Sequence, residues 1–204
     1  MDKLDLKKQY KALYSSSAKD FSVLSIPPLQ YIMVDGHGDP GSAPEYLDSV
    51  QTLYSLAYTL KFHIKKTLAR DFTVMGLEGL WWMPDMSQFS MERKADWDWT
   101  MMILQPDFVT LDLFEEAKRQ AVAKGKALLS TRARLETLVE DLCVQIMYFG
   151  AYDDEPPTIA RMHAFIHAQG YVPNGKHHEV YLSDPRKVAP EKNKTILRQP
   201  VKKA

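Results

Sequence analysis

The stretch "EGLWWMP", Glu78 to Pro84, decides how the chain is divided, because a similar stretch returns about a hundred residues later. The second copy is "EVYLSDP", Glu179 to Pro185. Each begins with a glutamate and ends with a proline six positions on, and the alignment sets Trp81 approximately over Tyr181. Such a match predicts an internal duplication if the elements around it also recur in the same order.

Around the first stretch, the sequence predicts a strand, a helix and two further strands. Apolar and β-branched residues predict the first strand, "LQYIMV", which ends in the glycine- and proline-rich turn "DGHGDPG". From Pro44, apolar residues at a spacing of about 3.6, with no internal glycine or proline, predict the helix "PEYLDSVQTLYSLAYTLKFHIKKTL". Two strands closed by prolines follow, "FTVMGLEGLWWMP" and "DWDWTMMILQP".

The second half of the chain repeats this order. The patterns predict the strand "LCVQIMYFGAY", the helix "DEPPTIARMHAFIHAQG", and the strands "HHEVYLSDP" and "TILRQPV". Two charged amphipathic helices are expected to connect the halves, one at "DLFEEAKRQAVAKG" and one around "RARLETLVE".

The repeated β-α-β-β order predicts an α+β fold of two modules related by a pseudo-two-fold axis, with antiparallel sheets and a ligand pocket between the modules. The modules are expected at about residues 21–110 and 138–204, joined by the helical connection into a single domain over 21–204. Residues 1–20 are expected to form a polar N-terminal arm outside this domain.

Composition excludes several classes of protein. Lysine plus arginine and aspartate plus glutamate both number 26, so no net charge recruits nucleic acid, although the tail Arg186–Lys203 is basic. No stretch approaches the roughly 20 apolar residues of a membrane helix, and the charged N-terminus lacks the apolar core of a secretory signal. Cys143, the only cysteine, lies in an apolar run, which indicates a buried structural thiol and a reducing, cytoplasmic compartment.

Strand alternation predicts which side chains of the two stretches share a face. Trp82 is expected beside Glu78, with Trp81 on the opposite side, and Tyr181 is expected beside Glu179. A glutamate beside aromatic rings has its charge disfavoured by desolvation, so its pKa rises toward the working range of a general base.

The strand "DWDWT" adds a second aromatic pair, since Trp97 and Trp99 are two positions apart and share a face. Flat rings with a nearby carboxylate suit planar or cationic ligands. The alternative is that Trp82, Trp97 and Trp99 are core residues and that Glu78 reaches solvent at a strand edge.

Other reactive side chains do not complete a recognised site. His163 and His167 stand four apart on a predicted helix, and the pair His177–His178 is adjacent, but no cysteine or glutamate set completes a zinc motif, which favours surface or partly packed histidines. The acidic run Asp153–Glu155 precedes two prolines and a helix, which favours helix capping over metal binding. No phosphate loop or nucleophile triad is present, so neither a metal nor a cofactor is expected.

The stretch "HHEVYLSDPRKVAPEKNKTILRQPV", His177 to Val201, resembles the closing segment of the GyrI-like small-molecule-binding family. "EGLWW" and the "WDW" strand extend the resemblance, which runs from about residue 20 onward, and the duplicated β-α-β-β order is the arrangement of the family. The resemblance implies a pocket between the modules, lined by aromatic side chains and containing a buried acidic residue. In relatives fused to a DNA-binding domain, such as multidrug-sensing transcription regulators, this pocket detects hydrophobic cationic compounds.

The chain is more similar to the stand-alone branch of the family, because the roughly 20 polar residues before the first strand are fewer than a helix-turn-helix domain needs. Some members of this branch hydrolyse cyclopropane-bearing, DNA-alkylating natural products, so the resemblance implies a cyclopropanoid cyclopropyl hydrolase acting in detoxification and drug resistance. The alternatives are a protein that binds or sequesters drugs without turnover and an inhibitor of a macromolecular partner. Neither direct nucleic-acid binding nor membrane association is expected, and the oligomeric state stays open.

The resemblance also orders the candidate site residues. Glu179 is the expected catalytic carboxylate because it lies in the best-matched motif, with Tyr181 as a hydrogen-bond donor to a developing phenolate. Glu78 is its pseudo-symmetric rival. The side chains expected to enclose a planar hydrophobic or cationic small molecule, besides Glu78, are Trp82, Trp97, Trp99, Tyr148 and Tyr152.

Overall fold

A computed structural model describes residues 3–204 of the chain. Within them the helices are α1 (Leu6–Gln9), α2 (Lys11–Tyr14), α3 (Pro44–Leu68), α4 (Leu111–Ala123) and α5 (Pro156–Ala168). The strands are β1 (Lys3–Leu4), β2 (Ser22–Ile26), β3 (Leu29–His37), β4 (Asp71–Phe72), β5 (Glu78–Trp82), β6 (Asp98–Leu104), β7 (Arg134–Leu138), β8 (Asp141–Phe149), β9 (Tyr171–Pro173), β10 (His177–Tyr181) and β11 (Lys194–Lys203).

One large, curled antiparallel sheet carries both repeats, in the strand order β2-β8-β11-β10-β5-β6-β3-β7, with β9 alongside β11. From the central pair β5 and β10, each half continues outward with strands of its own module, β6 and β3 on one side and β11 and β8 on the other. The outermost strands are exchanged: β7 precedes β8 but pairs with β3, and β2 precedes β3 but pairs with β8. The α+β fold of duplicated β-α-β-β modules with pseudo-two-fold symmetry is confirmed.

The long helix of each module lies on the same side of the sheet, which we call the helix face. Met162 and Ile166 of α5 pack in one cluster with Leu197 of β11. On the other module, the ring of Tyr46 of α3 stacks against Trp81 of β5. Because two helices cover the two halves of one face, the central strands β5 and β10 lie between them.

The opposite side of the sheet, which we call the arm face, contacts the N-terminal residues. Leu6, Leu13 and Tyr14 are buried in the main core, and the Tyr14 hydroxyl donates to Glu78 Oε1 at 2.7 Å. The N-terminal segment therefore packs on the sheet, and a domain boundary near residue 20 stays a prediction.

The connection between the modules differs from the sequence-based prediction, which was wrong around "RARLETLVE". These residues form the edge strand β7, whose Leu135 lies opposite Ile32 of β3, and no helix. Arginine, leucine and glutamate favour helices, and a half-buried edge strand shows little alternation, so the local pattern is overridden by pairing with β3. The helix predicted at "DLFEEAKRQAVAKG" is confirmed as α4.

Cys143 is fully buried in β8, as predicted, and burial raises the pKa of its thiol. Over residues 3–204, none of the helices combines the length and the apolar character that a membrane crossing demands.

Candidate functional site

The pairing of β5 with β10 decides which glutamate faces which side. Residues directly opposite each other in an antiparallel pair have their side chains on the same face. Gly79 lies opposite Glu179, whereas Glu78 lies opposite Val180. Glu179 is therefore on the helix face and Glu78 on the arm face. A two-fold axis normal to the sheet relates residues whose side chains lie on the same face. The counterpart of Glu179 is therefore Gly79 and not Glu78. The alignment of Glu78 with Glu179 was wrong by one residue.

Glu179 is the carboxylate around which the helix-face site is built. Tyr181, on the same face as alternation predicts, donates its hydroxyl hydrogen to Glu179 Oε2 at 2.8 Å. The indole Nε1 of Trp81 in turn donates to the Tyr181 hydroxyl oxygen at 3.0 Å. Burial, reinforced by the charge of Glu179, raises the pKa of Tyr181 well above its ordinary value, so the phenol stays a neutral donor. An indole, a phenol and a carboxylate thus form one hydrogen-bonded row.

Three more buried polar side chains surround this row and have unpartnered atoms within the described part of the chain. They are His177 at both ring nitrogens, Glu155 at Oε1 and Thr195 at Oγ1. His177 Nε2 lies 3.6 Å from Glu179 Oε1, and Thr195 lies opposite Tyr181 in the β10–β11 pair. Buried polar groups are nearly always hydrogen-bonded, so such a concentration points to a site for a polar ligand or reactant.

Glu155 is a site residue that sequence reasoning missed, because an acidic run before a helix favours capping. Pro156 and Pro157 occupy the first positions of the helix and have no N–H, and the N–H of Thr158 donates to the Glu155 backbone oxygen at 2.9 Å. The carboxyl group caps no N–H of the helix, and it is buried close enough to Glu179 for that charge to act on it. Burial, followed by the charge of Glu179, raises the pKa of Glu155 to about 10. The signal in the sequence was the double proline.

Aromatic rings form a wall on the Trp81 side of the site. Tyr46 stacks on Trp81 with ring centroids 6.3 Å apart and meets the ring of Trp99 edge-on at 5.5 Å. Trp97 meets Trp81 edge-on at 5.7 Å and stacks on Phe89 at 4.6 Å. Trp99 is fully buried and Trp97 nearly so, whereas Tyr46 is half-buried. The two tryptophans therefore support the wall from behind, and Tyr46, which the sequence did not single out, presents its ring to the site.

Two tyrosines complete the site on the α5 side. Tyr152 meets the Tyr181 ring edge-on at 5.8 Å, and burial together with the charge of Glu179 raises its pKa to about 12. Tyr148 lies opposite Thr195, and hence on the helix face, with its hydroxyl donating to the Ala151 backbone oxygen at 3.0 Å. The structure thus brings Tyr152 against Tyr181 and near Glu179, and it places Tyr148 on the same face two strands away from Tyr181.

Glu78 does not lie in this site. It is buried on the arm face, where Oε1 accepts from Tyr14, Oε2 accepts from Tyr31 at 3.2 Å, and Oε2 lies 3.0 Å from His178 Nε2. With every oxygen engaged and only 1% of its surface exposed, Glu78 belongs to the core. Neither the strand-edge position nor the ligand-facing position considered from the sequence describes it.

Trp82 also lies on the arm face, away from Glu179. Its half-buried ring is covered by the ammonium group of Lys176, whose Nζ lies 3.2 Å from the ring centroid. This cation–π contact explains the position of the ring without a ligand. Trp82 is therefore not brought to the candidate site, although alternation correctly separated it from Trp81.

The adjacent histidines His177 and His178 are both buried, contrary to the prediction of surface or partly packed side chains. Alternation sends His177 into the helix-face site and His178 into the arm-face core. Among the residues that the structure describes, no group of three metal-ligating side chains is arranged to hold an ion.

Two cavities lie near the central strands. One of about 380 Å³ is bordered by His37 and Asp98 near the β5–β6 connection. The other, of about 210 Å³, lies between the N-terminal segment and the end of β10, and it is bordered by Tyr14 and, among the site residues, by Tyr181. The carboxylate of Glu179 borders neither, so the helix-face site is defined by its chemistry and its aromatic surroundings.

A curled sheet with two helices on one face and a carboxylate set among aromatic rings defines a small-molecule-binding domain. The sequence profile of the GyrI-like small molecule binding domain matches residues 19–202, and the chain belongs to the GyrI-like family. The family resemblance found in the sequence is confirmed.

Solved structures agree with this assignment. A conserved protein of Listeria innocua described as uncharacterized is 42% identical, with a TM-score of 0.90 over 98% of this chain and 100% of its own. A second protein of Listeria innocua, described as a hydrolase, is 40% identical, with a TM-score of 0.88 and the same coverage. The C-terminal domain of EcmrR shares the fold at 11% identity, with a TM-score of 0.57 over 91% of this chain and 98% of that one. A comparison with curated protein sequences found no match.

Proposed function

We propose that this protein is a hydrolase that opens the cyclopropane ring of planar, DNA-alkylating natural products by carboxylate-assisted attack of water. The observation that carries the proposal is the row of Trp81, Tyr181 and Glu179 on the helix face, with aromatic rings on either side. The relatives of Listeria innocua described as hydrolases, at 40% identity over nearly the whole chain, support hydrolytic chemistry.

The geometry suits a water-activating carboxylate. Glu179 is held at Oε2 by Tyr181, which leaves Oε1 to accept the proton of a water molecule. A cyclopropane conjugated to a dienone is strained and electrophilic, so the water oxygen attacks the ring methylene carbon. The carbon–carbon bond to that methylene breaks, and its electrons move through the dienone to the carbonyl oxygen, which becomes a phenolate. A fixed carboxylate in a partly dry site contributes both orientation and proton acceptance.

The aromatic side chains set the substrate class. Tyr46 and Tyr152 are half-buried and lie close enough to Glu179 to be influenced by its charge, Tyr148 lies on the same face two strands away, and Trp97 and Trp99 fix the wall behind Tyr46. Flat aromatic faces stack on planar ligands, and the nearby negative charge favours ligands that are cationic or electron-poor. Protection of the cell from such alkylators is the role we propose, in the cytoplasm, which a chain with the single cysteine Cys143 suits.

Turnover is tested by incubating the protein with a cyclopropane-containing alkylator and measuring the water adduct by mass spectrometry. Glu179→Gln is expected to lose turnover while still quenching tryptophan fluorescence on binding, because the amide fills the same space but accepts no proton. Glu191→Gln, at an exposed glutamate of the β10–β11 connection, is the matched control and should behave as wild type. Full activity of Glu179→Gln would contradict the assignment of the base.

A binding protein without turnover is the second candidate function. It is favoured by the same carboxylate among aromatic rings, a combination that holds hydrophobic cations by stacking and charge. The two functions differ in the fate of the ligand. Saturable fluorescence quenching with recovery of chemically unchanged alkylator would support sequestration and reject hydrolysis.

A further inference from the structure

We propose that Glu155 is the acid of this site: it holds a proton and gives it to the oxygen that becomes the phenolate, while Glu179 takes the proton of the attacking water. The inference rests on the proposed hydrolysis and adds a second catalytic residue to it. Tyr181, which the sequence predicts as the donor to the phenolate, instead donates its hydrogen bond to Glu179 and positions that carboxylate.

The hydroxyl of Tyr181 is already engaged on both sides. Its single hydrogen lies on Glu179 Oε2, and its oxygen accepts the hydrogen of Trp81 Nε1. A phenol has one hydrogen to donate, so stabilising a phenolate would require Tyr181 to release the base at the moment when the base is needed. A separate donor is therefore required on the helix face.

Glu155 is placed to donate this proton, because its carboxyl group is buried in the site and one of its oxygens has no hydrogen-bond partner. It is 4% exposed, its Oε1 has no hydrogen-bond partner, so a proton on that oxygen is not already given to Glu179, and its carboxyl group is close enough to Glu179 for the charge of Glu179 to raise its pKa. Two carboxyl groups this close in a buried site cannot both be ionised. The charge belongs on Glu179, which receives a hydrogen bond from Tyr181 and lies near His177, whereas the double proline deprives Glu155 of helix donors. The raised pKa of Glu155 agrees with this distribution.

The step balances with water as the only co-reactant. Water forms a bond from its oxygen to the methylene carbon, the strained carbon–carbon bond breaks, and its electron pair reaches the carbonyl oxygen. Glu179 receives the proton of water and Glu155 delivers its own proton to the phenolate. Transfer of the proton from Glu179 to the adjacent Glu155 then restores the starting state, and the product is the substrate plus one molecule of water.

Kinetics test the transfer of the proton. In Glu155→Gln, the amide can still donate a hydrogen bond to the bound carbonyl but cannot release a proton, so we expect kcat to fall about 10²- to 10⁴-fold with the fluorescence-detected ligand affinity retained. Glu155→Asp, which keeps the acid, should recover part of the rate, and Glu191→Gln should match wild type. An active Glu155→Gln beside an inactive Glu179→Gln would reject the inference and leave the proposed hydrolase standing. A wild-type protein without turnover would reject both.

Carboxyl NMR tests the protonation state without any substrate. With ¹³C-labelled glutamate, and Glu155→Gln to assign the signal, Glu155 should titrate far above the ordinary glutamate range in wild type. In Glu179→Gln its midpoint should fall, because a neighbouring charge that raises the pKa is gone. Titration of Glu155 in the ordinary range would overturn the inference whatever the kinetics show.

Discussion

Tyr181 links the aromatic wall to the carboxylate of the site. Its oxygen satisfies the buried indole N–H of Trp81, and its hydrogen satisfies Glu179. Both partners are largely enclosed, so neither regains a full set of water hydrogen bonds if the hydroxyl is removed. The phenol therefore contributes to stability and positions the base at the same time.

Tyr181→Phe is expected to weaken both properties. Leaving the Trp81 N–H unpartnered should lower the free energy of unfolding by about 1–3 kcal/mol. Loss of orientation at Glu179 should reduce turnover by about 10²-fold, with ligand binding largely kept. Urea unfolding and steady-state kinetics measure the two effects. Tyr58→Phe, which removes the hydroxyl of an exposed tyrosine on α3, is the control, and equal turnover in the two variants would contradict the positioning role.

Strand alternation predicted which side chains of one strand share a face, but it could not predict which residues of neighbouring strands lie together in the site. It correctly separated Trp81 from Trp82 and joined Glu179 to Tyr181, because the side-chain period of a strand is a local property. The register between β5 and β10 is not local, so the sequence could not show that Gly79, and not Glu78, lies opposite Glu179. One residue of register moves a carboxylate from the site to the core.

At the scale of elements, the repeated β-α-β-β order made the fold predictable. The segments that connect the two units could not be predicted from their local sequence pattern. The two β-α-β-β units have strong internal periodicity and turn residues at their ends, so their existence and order were correct. The segment Arg134–Leu138 forms the edge strand β7 because it pairs with β3, which is distant in the sequence. The carboxyl of Glu155 lies in the site because Pro157, the second residue of α5, lacks the N–H that a cap would use, and the charge that acts on it comes from Glu179 on the distant strand β10.

Gly36 shows how closely two elements meet behind the aromatic wall. It lies in β3 directly opposite Trp99 of β6, and a Cβ at this position would overlap the six-membered ring of that indole. The indole is held from its other sides by a hydrogen bond to the Gly38 backbone oxygen and by the edge contact with Tyr46. Trp99 can therefore occupy its position in the aromatic wall only if residue 36 is a glycine.

Gly36→Ala is expected to displace Trp99 and, through Tyr46, to disturb the ligand-facing surface. Overpacking of this kind should lower the free energy of unfolding by about 1–3 kcal/mol. Affinity for planar aromatic compounds should fall, with a shift in intrinsic tryptophan emission. Gly41→Ala is the control, since its added Cβ would meet only the side chain of Asp39. An unchanged affinity in Gly36→Ala would show that the wall does not form the ligand surface.

At the scale of the whole molecule, a buried charged network on the arm face joins both modules to the N-terminal segment. His178 lies between two carboxylates, with Nε2 3.0 Å from Glu78 Oε2 and Nδ1 3.0 Å from both oxygens of Glu140. Because both ring nitrogens face carboxyl oxygens, this arrangement favours the imidazolium form of His178, in which both nitrogens donate. Arg198, 3.7 Å from Glu140, balances the second negative charge and donates to the Leu13 backbone oxygen at 2.8 Å.

This network gives the fold a pH dependence of definite sign. Burial by itself lowers the pKa of His178, but the carboxylates of Glu140 and Glu78 outweigh burial and raise the pKa above the ordinary histidine value. An unfolded histidine binds its proton with a pKa of about 6.5, so the stabilisation by His178 is complete below that pH and is lost as pH rises through the folded pKa. Glu155 also binds a proton on folding, so stability should fall with rising pH through more than one group.

His178→Gln separates the two contributions. It leaves Glu78 and Glu140 without the cation between them, so at pH 6 its free energy of unfolding should be lower than that of wild type by about 3–5 kcal/mol. The deficit should shrink as pH is raised toward 10, because wild type loses the same charge there while Glu155 acts equally in both proteins. Urea unfolding across this range measures the difference, with His167→Gln at an exposed histidine as the control. A deficit that stays constant with pH would mean that the proton on His178 does not hold the modules together.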